Sequence, residues 1–325
     1  MRRRPTEPLR GDNELVRVKR RELARRRRKQ RRAAALVTLV AAVASGALLA
    51  FTPLVVRQPR RPTPASRAGP RGPRSTRSRS HRATSIDRRR ASRFPILMYH
   101  VINRAPSNVP FPGLYVQPSD FSAQMKALAA AGYRAVTLDQ LAGLSSKHIA
   151  MPGRPIVISF DNGYRSQFTN ALPVLQRLGW PAVENIQLSG LPPSQGGLNT
   201  HQVRALVRAG WELDTQGFNH ADLPTLGTIQ LRHEITGSRR TIRRLYHVPV
   251  HWFCYPSGHY DRAVLAIVKS SGYTGATTVV PGWANLRNDR YRLPRLRVLA
   301  GTSPAALLAL VAGTRGNRPP PDSYR

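Results

Sequence analysis

The stretch of sequence that decides the fold is Phe160-Asp161-Asn162-Gly163-Tyr164, and it completes an apolar run that begins at residue 155. The run is short and rich in β-branched residues, which is typical of a central strand in a parallel sheet. Polar groups directly after such a strand lie at its carboxyl end, where (β/α) folds place their functional residues. The pattern therefore predicts a functional site that begins at Asp161.

Short strands alternate with helices on both sides of this stretch. The alternation predicts an α/β fold with a parallel sheet or a barrel, and periodicity alone does not separate the two. Serine caps are expected at the helices that begin at Ser119 and Ser303. We predict strands over residues 95–100, 134–137, 156–160, 212–215 and 252–255, and helices over 119–131, 170–178, 198–209, 228–246, 261–271 and 303–312.

Two further segments place polar side chains at the end of a predicted strand. Residues 216–223 read Gln-Gly-Phe-Asn-His-Ala-Asp-Leu and follow the strand at 212–215. Residues 253–258 read Phe-Cys-Tyr-Pro-Ser-Gly and complete the strand at 252–255. Both segments fit the rule that functional groups follow the carboxyl ends of barrel strands.

Together these segments resemble the polysaccharide deacetylases with a NodB-homology domain, which form carbohydrate esterase family four. That family reads Phe-Asp-Asp-Gly-Tyr in the first segment and His-x-x-x-His-x-Asp-Leu in the second. The resemblance covers residues 94–312 and implies a distorted, incomplete (β/α) barrel. It also implies hydrolysis of N-acetyl groups, which are non-peptide carbon–nitrogen bonds, on amino sugars of the cell wall or of exopolysaccharides.

The resemblance assigns the catalytic base to Asp161 and three metal-binding positions to Asn162, Gln216 and His220. The family holds a divalent metal, zinc or a similar ion, with a carboxylate and two imidazoles at these positions. Zinc sites are built from Cys, His and carboxylate ligands, whereas two of the three positions here are neutral amides. We therefore predict weak or absent metal binding unless another residue, Asp214 or His259, replaces the lost ligands.

The groove and the catalytic acid are the remaining parts of the family's site. The family takes its acid from a C-terminal Leu-x-His motif, but the last histidine here is His259, so the acid is predicted to be missing. The pair Tyr99-His100 recurs in one branch of the family. We expect Arg295 to contact a carboxylate near the site. The predicted groove residues are Tyr164, Tyr255, Pro256, Gly258, Trp283 and Arg295.

The chain has 325 residues and a formal net charge of +36, and much of that charge lies outside the predicted domain. Residues 1–32 carry 15 Lys or Arg and four acidic residues. Residues 57–93 carry 13 Lys or Arg and one acidic residue. Between them, residues 33–56 contain no charge and are long enough to span a bilayer as a signal anchor. The alternative is a cleaved signal peptide, because Ala42-Val43-Ala44 matches a cleavage site.

This organisation predicts a single-pass protein of the cell membrane whose C-terminal domain is extracellular. Residues 1–32 form a basic cytoplasmic segment, 57–93 an Arg/Pro/Ser-rich linker and 313–325 a disordered tail. The expected partners are a polysaccharide or peptidoglycan, the membrane and, through the linker, anionic wall polymers; a solvated spacer is the alternative role of the linker. Nucleic acid is disfavoured because the arginines are concentrated outside the domain. The alternative function is that of a non-catalytic, glycan-binding relative of the deacetylases.

Overall fold

The computed structural model of the chain describes residues 93–146, 153–191, 196–287 and 289–313. The predicted basic segment, membrane span and linker, and nearly all of the predicted tail, lie outside these residues and stay predictions. No helix within the described ranges is long and apolar enough to cross a membrane.

Seven parallel strands close into a barrel in the order β1, β11, β9, β8, β7, β6, β5 and back to β1. This ring confirms the predicted (β/α) barrel class, and it holds seven strands where the regular barrel has eight. Outside the ring, β4 adds in parallel to β5, and β10 pairs antiparallel with β1. The strands are β1 Arg93–Tyr99, β2 Val101–Ile102, β3 Tyr115–Val116, β4 Tyr133–Ala135, β5 Arg154–Asn162, β6 Val183–Ile186, β7 Glu212–Thr215, β8 Trp252–Cys254, β9 Gly275–Pro281, β10 Trp283–Asn285 and β11 Leu293–Arg297.

Helices connect the strands and cover the outside of the ring. They are α1 Pro118–Ala130, α2 Leu138–Ser146, α3 Leu172–Arg177, α4 Thr200–Arg208, α5 Thr228–Arg232, α6 Ser238–Tyr246, α7 Arg262–Ser270 and α8 Pro304–Gly313. Two π-helical turns, Gln167–Ala171 and His233–Gly237, lead directly into α3 and α6. The long helix predicted over 228–246 is therefore α5, a π-turn and α6 in succession.

The N-terminal caps of α8 and α1 test the two helix starts that were predicted at Ser303 and Ser119. Ser303 accepts a hydrogen bond from the Ala306 N–H at 3.1 Å, as its capping prediction requires. Ser119 is not a cap: α1 starts one residue earlier, at Pro118, with Gln117 as its N-cap. Proline suits the first helical turn because its missing N–H has no partner there in any case.

Several elements escaped prediction because their sequences lack alternation. The clearest is β6, whose four residues Val-Glu-Asn-Ile are all buried and carry two polar side chains in the middle. Its neighbours in the ring, β5 and β7, bury polar groups as well. The barrel interior is thus partly polar, and this polar part forms the site described next.

Candidate active site

Asp161 lies near the carboxyl end of β5, and its carboxylate is fully bound by neighbouring side chains. Arg295, on β11, donates from Nη1 to Oδ1 at 2.7 Å and from Nη2 to Oδ2 at 2.8 Å. Asn185, which pairs with Asp161 in the β5–β6 register, donates from Nδ2 to Oδ1 at 2.9 Å. Three strands of the ring therefore hold one carboxylate in a fixed orientation.

The Asp161–Arg295 pair keeps that carboxylate ionised. Burial by itself raises the pKa of Asp161, but the charge and hydrogen bonds of Arg295 outweigh burial, and the pKa falls from 3.8 to about 2. Burial alone would lower the pKa of Arg295. The attraction of the Asp161 carboxylate is stronger than this effect of burial, so the pKa of Arg295 rises above its usual value. Replacing only one residue of such a fully buried, bidentate pair strongly destabilises the fold, because the other charge is left buried without a partner.

Arg295 is itself held from three directions. Its Nε donates to the Thr278 carbonyl at 2.8 Å, and Nη1 also reaches the Ser159 hydroxyl at 3.2 Å. The Cys254 sulfur lies 3.2 Å from Nη2, and burial raises the thiol pKa to about 12, so the cysteine is an inert packing residue. In some members of the resembling family an arginine stands at the position of Cys254 and orients the base. Here Arg295 supplies that contact from another strand.

Asn162 and Gln216, which the resemblance predicts to be substituted metal positions, contact each other. Asn162 ends β5 in a left-handed conformation with φ of 76°, which asparagine tolerates better than most residues. Its backbone N–H donates to Oε1 of Gln216 at 3.1 Å. The Gln216 amide thus ties the end of β5 to the loop after β7.

His220 is carried by a loop that Glu234 organises. One carboxylate oxygen of Glu234 accepts the backbone N–H groups of Phe218 and Asn219 at 2.7 and 3.0 Å, and the other accepts the Asn219 side chain. Gly217 is required beside it, since a Cβ there would lie 2.7 Å from Glu234 Oε2. Burial lowers the pKa of His220, which favours the neutral imidazole. Sequence reasoning missed Glu234 as the residue that positions this loop.

The residues present do not fit the divalent metal that the family implies. Gln216 and Asn162 offer neutral amides, and the Gln216 oxygen already accepts the Asn162 N–H. The oxygens of Asp161 are occupied by Arg295 and Asn185. Within the described ranges no group of three His, Cys, Asp or Glu side chains could hold a metal ion. His220 is the one strong zinc ligand among the three positions.

His100 enters the site in a way that the sequence reasoning did not recognise. It follows β1 directly, and its Nε2 lies 4.0 Å from Oδ2 of Asp161. Burial lowers its pKa to about 4, because the attraction of Asp161 only partly offsets the loss of solvation. At neutral pH it is therefore an uncharged imidazole beside an ionised carboxylate. The signal was present in the sequence, because Tyr99-His100 ends a predicted barrel strand.

Three of the predicted groove residues are corrected by their burial or position. Arg295 is the first, because its side chain is fully buried against Asp161 and lines no groove. Tyr255 has no exposed surface, and its hydroxyl donates to the Tyr291 carbonyl at 3.0 Å, so its ring is core and cannot stack on a sugar. Trp283 lies on β10 opposite Pro95, toward the amino end of β1, and its Nε1 donates to the Val311 carbonyl at 2.9 Å. Both side chains satisfy their polar atoms within the protein and pack against it.

Other predicted groove residues lie at the carboxyl end of the barrel. Tyr164 is half-buried and pairs with Gly197 through an isolated β-bridge. Burial raises the pKa of Tyr164, and the nearby Tyr115 and Asp161 add to the rise. Pro256 and Gly258 form a tight turn after β8. Gly258 is required there, since a Cβ would lie 2.4 Å from Val279 Cγ2.

Neither proposed replacement ligand restores the metal set. Asp214 is buried, accepts the Trp252 N–H at 2.9 Å and lies against Glu212. His259 does approach the site, since its charge lowers the pKa of His220, but its Nδ1 lies 2.9 Å from Oδ1 of Asp222. Both side chains are committed to other partners.

Comparison with known proteins finds a family model and a relative that match much of this chain. A model of the family described as polysaccharide deacetylase matches residues 148–276. The Bacillus subtilis (strain 168) protein YxkH, a polysaccharide deacetylase by name, is 27% identical over 220 residues, which is 68% of this chain and 76% of YxkH.

Two solved structures share the fold. The polysaccharide deacetylase BC0361 from Bacillus cereus superposes with a TM-score of 0.60 at 27% identity, over 67% of this chain and 69% of that one. The Streptococcus pyogenes deacetylase PplD, solved in complex with acetate, superposes with a TM-score of 0.62 at 24% identity, over 67% of this chain and 98% of that one.

Proposed function

We propose, on the premise that this chain belongs to the polysaccharide deacetylase family, that it acts on N-acetylated amino-sugar polysaccharides and hydrolyses their N-acetyl groups slowly. The observation that carries this proposal is the retained base position: Asp161 is held ionised by Arg295, with the neutral His100 imidazole 4.0 Å away. A carboxylate and an imidazole side by side can take and return protons during amide hydrolysis.

Slow turnover follows from what the site lacks. In metal-dependent hydrolysis the ion lowers the pKa of the attacking water to about 7. The donors here do not fit such an ion, and a carboxylate with a pKa of about 2 is a weak base. Deprotonation of water therefore depends on Asp161 and His100 alone.

A second candidate is a non-catalytic glycan-binding protein. The hydrogen bond from the Asn162 backbone N–H to the Gln216 side chain supports it, because this bond gives the Gln216 amide a structural role in place of ligation. Both candidates place the polysaccharide at the carboxyl end of the barrel.

We further propose that the domain works outside the cell, anchored through residues 33–56. The length of this uncharged segment and the basic residues ahead of it support the proposal. Protease added to intact cells should digest an epitope tag placed after residue 325 and spare one placed before residue 1. A tag at residue 325 that is protected in intact cells would overturn this topology.

The test of the site is acetate release from N-acetylglucosamine oligosaccharides by the full chain in detergent, with and without zinc. We expect weak release that zinc does not stimulate and that Asp161→Asn abolishes, because general base catalysis contributes roughly 10²–10⁴-fold. Binding of the same oligosaccharides without any release would establish the second candidate.

The matched variant is Asn162→Asp with Gln216→His, which restores the family's ligands. We expect a zinc affinity at least roughly 100-fold higher, since even outer-shell partners are worth 10–100-fold. Unfolding followed with and without zinc gives a readout independent of turnover: the double variant should be stabilised by zinc and the parent chain should not. Equal insensitivity of both chains would show that these residues do not form the metal positions.

A further inference from the structure

A second concave site lies at the opposite end of the barrel from Asp161. It is a cavity of about 760 Å³ between α6 and the loops that precede β8 and β9. Those loops contribute His247 and Ser271, and they lie at the amino ends of the strands. We call this cavity the arginine pocket, and it is lined mainly by Arg239, Arg240, Arg243, Arg244, His247 and Ser271.

One arginine is held in place at the pocket wall. Arg239 donates from Nε to the Val250 carbonyl at 2.8 Å, and its guanidinium lies 5.3 Å from the centre of the Tyr273 ring. Gly272 leaves room for it, since a Cβ there would lie 3.3 Å from Nη1. Because these contacts fix the side chain, its terminal nitrogens are presented with little further loss of conformational freedom.

The other arginines add charge without intramolecular neutralisation. Arg243 and Arg244 lie one turn beyond Arg239 and Arg240 on α6, so the four form two neighbouring pairs. Among the described residues none of these four arginines forms an ion pair. Burial lowers the pKa of Arg239, and repulsion from Arg243 adds to the shift.

Three carboxylates on the segments that precede α6 and α7 have other partners. Glu234 holds the loop of His220, Asp222 pairs with His259, and Asp261 caps α7. The pocket thus combines a cavity, a fixed guanidinium and an excess of positive charge. Guanidinium groups bind phosphate through paired N–H donors, which makes phosphate the matching ligand chemistry.

We propose that the arginine pocket binds a soluble phosphodiester polymer of the sugar-phosphate or glycerol-phosphate type. The pocket is concave, and Ile242 of α6 is buried against the barrel, so Leu245, which is 42% exposed, is the one large aliphatic side chain that this helix offers to a bilayer. Its lining contains no Trp, Tyr or Phe on which nucleic acid bases could stack. The deacetylase-type site and the arginine pocket would then contact two different polymers at the two ends of one barrel.

The first test maps the binding position in the full chain in detergent micelles, with poly(glycerol phosphate) as the probe. Arginines are modified with phenylglyoxal and read by mass spectrometry, which separates the pocket from the basic residues before 93. We expect Arg240 and Arg244 to be protected at lower polymer concentrations than Arg177 and Arg208, which are exposed on other helices. Equal protection of both pairs would overturn the proposal.

The second test compares two charge-matched variants of exposed arginines. Arg240→Gln with Arg244→Gln should weaken polymer binding about tenfold per arginine at low salt and reduce the slope of log affinity against log salt by about 0.7–0.9 per residue. Arg177→Gln with Arg208→Gln removes the same charge and should change neither. Equal losses in both variants would mean that binding is delocalised over the surface.

Two alternative probes decide the ligand class. Vesicles of phosphatidylglycerol and phosphatidylcholine, and a single-stranded DNA, are added in place of the polymer. Stronger protection of Arg240 and Arg244 by either one than by poly(glycerol phosphate) would overturn the assignment, in favour of a membrane surface or of nucleic acid respectively. Weaker protection by both would support it.

Discussion

Two groups of buried carboxyls in the same barrel have opposite protonation behaviour. Asp161 has Arg295 as a bidentate partner, and its pKa falls to about 2. Glu212 and Asp214, both on β7, contact no cation among the described residues; burial raises the pKa of Glu212 from 4.5 to about 7 and that of Asp214 well above its usual value. Burial opposes ionisation in both groups, and the presence of one guanidinium decides which group is charged.

The Glu212–Asp214 pair is best described as two carboxyls that share a proton. Glu212 Oε2 accepts the Asp139 N–H at 2.7 Å, and Asp214 Oδ1 accepts the Trp252 N–H at 2.9 Å. Their remaining oxygens, Glu212 Oε1 and Asp214 Oδ2, have no separate donor. A proton between these two oxygens satisfies both, whereas two ionised groups would repel each other in a buried site.

The largest expected effect comes from removing the cation of the first group. Arg295→Met leaves the Asp161 carboxylate buried without its partner, and breaking a buried pair from one side costs roughly 3–5 kcal/mol. Urea unfolding at pH 7 measures the loss. The double variant Asp161→Asn with Arg295→Met should recover much of it, because both charges are then gone. A double variant no more stable than Arg295→Met would show that packing, and not the uncompensated charge, causes the loss.

A smaller effect should appear as pH dependence in the second group. Since the folded pKa of Glu212 is raised to about 7, the folded protein binds more protons than the unfolded chain between its usual value of 4.5 and 7. The free energy of unfolding should therefore fall as pH rises through this range, by an amount on the order of 3 kcal/mol. The charge of Asp139 adds to the rise in the pKa of both carboxyls after burial.

The matched variant for this prediction is Asp214→Asn. Its amide can donate permanently to Glu212, so the shared proton is no longer needed and the fall in stability between pH 5 and 8 should flatten. Urea titrations at a series of pH values give the comparison with the parent chain. An unchanged slope would mean that another group carries the pH dependence.

The smallest effect is expected for an exposed pair that has a similar contact distance. His259 Nδ1 and Asp222 Oδ1 are 2.9 Å apart, but the Asp222 side chain is 52% exposed. Solvent screens such a pair, and Asp222→Ala should cost less than about 1 kcal/mol in unfolding experiments. A loss comparable to that of Arg295→Met would contradict the view that burial, and not distance, sets the energetic weight of these pairs.

The predicted parts of the site are those in which a strand end and a motif coincide in sequence. Asp161, Asn162, Gln216 and Pro256 follow predicted strands, and the structure places all of them at the carboxyl end of the barrel. His100 ends a predicted strand as well, but only the structure shows that its Nε2 lies 4.0 Å from Oδ2 of Asp161. Tyr255 and Trp283 were misplaced, because aromatic side chains have the same sequence signature in a groove and in a core.

The sequence by itself determined the alternation of strands and helices, which depends on local periodicity. It also determined the family resemblance, which depends on residue identity and which implied the barrel and predicted two substituted metal-ligand positions. Only the tertiary structure decided the electrostatics. Arg295 lies 134 positions from Asp161 in sequence, and the pairing of β1 with both β11 and β5 places these two strands on either side of it. The closed ring leaves Glu212 and Asp214 without a cation in contact among the described residues. Protonation in a buried site depends on which charges lie within a few ångströms, and chain closure sets those distances.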